Sequence, residues 1–199
     1  SITGNDVNYV ENSIGLYVNN TAGYEYRLKE YEFIFGDYAK DSVLVYINRG
    51  TLTLDNVKYS TINISGGRDN TVLAASGSSS VLNLYPDIKV GTTTDNVDGT
   101  VALMAKAGAK INLLDSNTIE TNGTKSHGIV LQDTGTTLSG TAGGNYSFIT
   151  TGESSAALYA DNAIVSLGSS NVDISAAGDK SIGVYNDGGT VTLGTGTYE

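Results

Sequence analysis

The sequence predicts an all-β protein, a right-handed parallel β-helix of about seven coils with three short strands in each. Three observations predict it. A short motif returns seven times at spacings of 26 to 29 residues along a chain of 199. Two further β-like runs follow most returns. The composition, with 25 glycines, one proline and 16% charged residues, is that of short strands joined by tight turns.

The motif opens each unit: a Ser or Thr start, then small and aliphatic residues, often ending in Tyr. Its copies read SIGLY, SVLVY, TVLAA, TVALM, HGIVL, SAALY and SIGVY, and begin at Ser13, Ser42, Thr71, Thr100, His127, Ser155 and Ser181. The second run is TLTL at 51–54, VLNL at 81–84, INLL at 111–114, TTLS at 136–139, IVSL at 164–167 and TVTL at 190–193. A third closes most units, as INIS at 62–65, IKVG at 88–91, TIET at 118–121, FITT at 148–151 and VDIS at 172–175.

Alternating strands this short have one apolar face and cannot bury it alone. Coiling and stacking resolves the problem. Equivalent strands then lie parallel, about 4.8 Å apart, so seven coils give a rod of roughly 34 Å. A right-handed winding is expected because parallel crossovers almost always take that hand. Strict alternation assigns Ile14, Leu16, Val43, Val45, Val72, Ala74, Val101, Leu103, Ile182 and Val184 to the lumen from the first strand. Leu52, Leu54, Leu82, Leu84, Ile111, Leu113, Val191 and Leu193 join them from the second, and Ile62, Ile64, Ile88, Val90, Val172 and Ile174 from the third.

One domain over 1–199 is expected, with 1–38 as an atypical first coil or cap. Within it YEYRLKEYEFIFGDY at 24–38 is the least regular stretch, and the period-two spacing of Tyr31, Phe33 and Phe35 favours a strand there over a helix. TVTLGTGTYE at the carboxyl end stops inside a coil, as expected of a piece of a longer chain.

A net charge of −10 with a pI near 4.4 argues against nucleic acid and anionic membranes as partners, since the long-range field repels both. Zero cysteines exclude disulfides and thiolate metal sites. No stretch is long and apolar enough to insert into a bilayer. The amino-terminal residues carry no signal-peptide pattern.

Coils such as SAALYADNAIVSLGSSNVDI and SIGVYNDGGTVTLGTGTY resemble the passenger domains of Gram-negative autotransporters, the type V secreted surface proteins. The likeness covers residues 13–199 through degenerate Gly/Asn/Ser/Thr-rich coils. It implies an adhesin-like rod at the bacterial cell surface, anchored in the outer membrane or released, and exported through a carboxyl-terminal β-barrel. Attachment to a protein or glycan on host cells or other bacteria, made by this segment or by a distal tip that it displays as a spacer, is the function it implies. The alternatives are a carbohydrate-active β-helix enzyme, a polysaccharide lyase or hydrolase, and a self-association module.

Two features of the coils stand out as candidate sites. Alternation puts Tyr17, Tyr46, Met104, Leu131, Tyr159 and Tyr185 on one outer face, beside Leu44, Leu73 and Ile129. Tyrosine offers rigid amphipathic contact area, although outward aromatic stacking also stabilises a sheet without any partner. Asx residues recur at the first turn, as Asn19 and Asn48 and then Asp133, Asp161 and Asp187. Stacked, the three carboxylates form an acidic ladder that favours a cation or a basic partner, whereas their simpler role is to make turns.

No catalytic residue, cofactor site or metal site is assigned. The single histidine, His127, reads as a turn residue with no acid beside it. Asp95 and Asp98 lack a basic neighbour to complete a lyase-like site. Gly66 to Asn70 and Asp95 to Gly99 resemble calcium-loop fragments without the nonapeptide recurrence that such loops need.

Overall fold

A computed structural model describes residues 11–21, 23–58, 60–92 and 97–199. Asp95 lies outside them. Among the described residues there are seventeen strands and no helix. The first three coils hold β1 (Ile14–Asn19), β2 (Glu25–Leu28), β3 (Val43–Leu54), β4 (Thr61–Ile64), β5 (Thr71–Ser76), β6 (Ser80–Leu84) and β7 (Asp87–Val90). The next two hold β8 (Val101–Lys106), β9 (Lys110–Leu113), β10 (Asn117–Thr121), β11 (His127–Gln132), β12 (Thr137–Gly140) and β13 (Asn145–Thr150). Last come β14 (Ala156–Asp161), β15 (Ile164–Ala176), β16 (Ile182–Asp187) and β17 (Thr190–Thr195).

Every ladder between them is parallel, and together they stack as a β-solenoid. The first sheet runs β1, β3, β5, β8, β11, β14, β16. A second sheet takes β2, the end of β3, β6, β9, β12, the start of β15 and β17. The third takes β4, β7, β10, β13 and the end of β15. Seven first strands bound about six turns rather than seven, because a turn is an interval between equivalent strands.

Each lumen row is a stack of apolar side chains, one from each coil. In the second sheet Leu52, Leu82, Ile111, Leu138 and Val165 stack in register, all fully buried. Ile62, Ile88, Ile119, Phe148 and Ile174 do the same in the third. Burying one such aliphatic side chain stabilises by about 1.5–3 kcal/mol, and only if the neighbouring coil covers it. One row is interrupted at Gly140, next to Leu113. The Tyr146 ring from the third sheet fills that space, and a Cβ on Gly140 would lie 2.5 Å from it. The Thr141 N–H donates to the Tyr146 hydroxyl at 2.7 Å, so the buried phenol keeps a partner.

In the first sheet the phase differs from strict alternation. Two consecutive residues turn inward where the chain rounds the corner: Val72 and Leu73, Ala102 and Leu103, Ala157 and Leu158 are all fully buried. The residue before each pair therefore faces out. Ile14 and Ile182, expected in the lumen, are 48% and 44% exposed, and Val43 and Val101 in the same row are half-buried. Ala74 also moves outward, into register with Tyr46 and Met104. Leu44, Leu73 and Ile129, expected outside, pack against or within the core.

Two of the seven copies begin one residue earlier than the motif suggests. The true equivalents of Ser13 and Ser42 are Asn70, Thr100, Ser126, Ser155 and Ser181, which lie just before the paired strands. At 29–38 the chain forms no strand, yet Tyr31, Phe33 and Phe35 are buried while Glu32 and Ile34 face out. Period-two burial holds there without a ladder. Tyr31 donates to the Asp55 carbonyl at 2.8 Å, and Asp55 in turn pairs with Arg27 at 2.6 Å.

Candidate interaction face

The corners that set the phase are built from backbone strain and polar side chains. The residue before each corner polar residue has positive φ: Asn12, Asp41, Asp69, Gly99, Lys125, Ser154 and Lys180 lie between 51° and 69°. That left-handed kink aims the next side chain into the rod. Ser13 N–H donates to Ser42 Oγ at 3.2 Å, Ser42 N–H to Asn70 Oδ1 at 2.9 Å, Thr100 N–H to Ser126 Oγ at 3.2 Å, and Ser126 N–H to Ser155 Oγ at 3.1 Å. Asn70 Nδ2 donates back to the Ala39 carbonyl at 3.0 Å, and Ser126 Oγ to that of Val97 at 2.9 Å. Asn70 thus serves the corner rather than a calcium loop.

With the phase fixed, two outward rows form the first sheet's face. One is Ile14, Val43, Thr71, Val101, His127, Ala156 and Ile182. The other is Tyr17, Tyr46, Ala74, Met104, Val130, Tyr159 and Tyr185. Tyrosines sit at both ends of the second row and the non-aromatic Ala74, Met104 and Val130 in its middle. Tyr17 and Tyr46 stack with ring centroids 5.8 Å apart, Tyr159 and Tyr185 at 4.8 Å. These rings cover one another's faces, and the Tyr17 hydroxyl accepts from Asn48 Nδ2 of the next coil at 3.1 Å, so the pairs also brace the sheet.

Leu131 is not on this face. It is fully buried in the lumen row with Ala105 and Ala160, and Val130 takes the place expected of it. The slip follows from reading the fifth copy from His127 instead of Ser126, since one residue moves every side chain to the other side of a strand. His127 itself is the first residue of β11, not part of a turn.

The acidic ladder is shorter than expected. Asp161 and Asp187 are in register, but Gln132 stands where Asp133 was placed. Asp133 lies beyond the strand at φ 75° and accepts the Ala107 N–H at 3.0 Å, a turn role. The two carboxylates that remain border the second tyrosine pair. Burial raises the Tyr159 hydroxyl pKa above its ordinary 10.0, and the charges of Asp161 and Asp187 add to the effect. Among the described residues no group of three His, Asp or Glu side chains is placed to hold a metal ion.

On the second sheet's outer side a polar ladder runs from Thr53 through Asn83 and Asn112 to Ser139, with links of 3.0, 2.8 and 2.8 Å. Its signal in the sequence was the polar third residue of TLTL, VLNL and INLL's Asn, which an apolar-row reading passes over. These groups bond to one another, while in the neighbouring outer row of the same sheet Ile164 is 44% exposed.

In comparisons with known proteins, the chain matches no family model, no curated protein and no solved structure.

Proposed function

We propose that this chain is a segment of a bacterial cell-surface rod, an adhesin passenger of the autotransporter type without enzymatic activity, anchored at the outer membrane or secreted. Its first-sheet face binds a protein or glycan on host cells or other bacteria. The observation that carries the reading is the pair of outward rows: aliphatic side chains at Ile14 and Ile182, and tyrosine pairs at both ends, lie on one sheet outside the core. Exposed aliphatic and tyrosine side chains side by side at each end of the face, at Ile14 and Tyr17 and at Ile182 and Tyr185, suit a partner that is part apolar and part hydrogen-bonding. The net charge of −10 favours neutral or cationic partners over nucleic acid.

Beads coated with the protein test this on epithelial monolayers and on bacterial cells. The double variant Tyr159→Ser, Tyr185→Ser should lower attachment at least severalfold while the far-ultraviolet β-sheet signal stays. Unchanged attachment would remove the face from the account. Beads that clump with one another and ignore both cell types would point instead to self-association.

A further inference from the structure

Five junctions close the first sheet in the same way. The N–H of a strand's first residue donates to the carbonyl of the corner residue one coil back: Val43 to Ser13, Thr71 to Ser42, Val101 to Asn70, His127 to Thr100 and Ile182 to Ser155, at 2.8 to 3.0 Å. The junction between β11 and β14 is different. There the Ala156 N–H donates to the imidazole Nδ1 of His127 at 3.0 Å. A side-chain nitrogen stands in the role that a backbone carbonyl plays elsewhere.

The substitution matters chemically. A carbonyl accepts at any pH, whereas a ring nitrogen accepts only while it carries no proton. The bond therefore assigns the proton of the neutral ring to Nε2. Half-buried between Val101 and Ala156, both uncharged, the imidazole has its pKa held below the ordinary 6.5 by burial. The titratable groups of the elements packed around it are Lys125 in the turn before β11, Asp98 in the turn before β8 and Lys106 at that strand's far end, and Glu153 before β14 with Asp161 at that strand's end. Glu153 is engaged with Lys180 at 3.8 Å.

We propose that His127 is an acid-sensitive latch: protonation of Nδ1 removes the acceptor of the Ala156 N–H and opens the edge between β11 and β14, while the other junctions stay closed. Above pH 6.5 the ring is neutral whether the edge is closed or open, and the latch is at full strength. As pH falls below 6.5 the open form takes up the proton first. The closed edge loses up to about tenfold in its equilibrium per pH unit until the lower pKa of the closed form is reached.

Amide hydrogen exchange followed by NMR from pH 5 to 8, corrected for intrinsic exchange rates, tests the latch. The opening constant at Ala156 should rise by up to about tenfold per unit below pH 6.5, whereas that at Ile182, whose acceptor is the Ser155 carbonyl, should not. His127→Gln, whose amide oxygen accepts at every pH, should abolish the difference. The chain has one histidine, so its ring resonances give the imidazole pKa directly. A value at or above 6.5, or parallel pH trends at Ala156 and Ile182 in the unmodified protein, would overturn the proposal without any variant.

Discussion

Thr100 and Ser126 occupy equivalent corners of neighbouring coils, yet their hydroxyls meet different surroundings. Ser126 Oγ accepts from the Thr100 N–H and donates to the Val97 carbonyl. Thr100 Oγ1 is buried with no hydrogen-bond partner among the described residues. A buried hydroxyl of the first kind stabilises, and one of the second kind costs. Ser126→Ala should therefore lower stability by about 1–3 kcal/mol, while Thr100→Val, which keeps the shape, should leave it unchanged or raise it by about 1 kcal/mol. Urea midpoints for the two variants decide; a loss of similar size in both would show that Thr100 has a partner after all. The Ser and Thr starts of the copies were legible in the sequence. Asn70 and Ser126 were not: Thr71 offers the Ser/Thr start one residue late, HGIVL aligns on its apolar residues past the Ser126 start, and the second slip carried Leu131 to the wrong side of its strand.

Among elements, the corner turn adds side-chain bridges between coils to the register set by the strand ladders. Its kink puts Lys125, Ser154 and Lys180 at φ near 55°, a conformation that costs a non-glycine residue about 1–2 kcal/mol. Two residues earlier, a Cβ on Gly152 would lie 1.8 Å from the Gly123 carbonyl oxygen, and one on Gly178 only 2.1 Å from that of Gly152. Coils can approach this closely only where no side chain intervenes. Gly152→Ala should thus cost about 1–3 kcal/mol through backbone displacement, whereas its neighbour Ser154→Gly should gain a few tenths by releasing the strained φ. Thermal melts of the pair should move in opposite directions; an unshifted Gly152→Ala would mean the corner is looser than described. None of this was legible beforehand. The Gly, Asn and Asp of these turns announce bends, but lysine and serine at positive φ carry no such signal, and two inward residues in succession break the alternation on which lumen assignment relied.

On the scale of the whole molecule, the solenoid was legible because it is a periodic solution to a periodic problem: seven returns of one motif, each with a face to bury. The second and third strands were placed correctly for the same reason, since Leu52, Leu54, Ile62 and Ile64 all lie in the core. Of the outer face, the tyrosines were legible at Tyr17, Tyr46, Tyr159 and Tyr185 because they stand at one register position in the coils. Its aliphatic row, with Ile14, His127 and Ile182, was hidden by the phase of the corner. What the face binds depends on the partner's chemistry, which no repeat encodes.

Equivalent residues of the solenoid rise along one axis by a single strand spacing per coil. Because the chain is free of cysteine, spin labels can be placed in pairs on the outer row of the second sheet, where Asn83, Asn112, Ser139, Ser166 and Thr192 follow in register. Dipolar electron paramagnetic resonance between position 83 and positions 139, 166 and 192 should give separations near 10, 14 and 19 Å, about 4.8 Å for each coil crossed. Distances that fail to grow in step with the number of coils would contradict the stacked solenoid and the face built upon it.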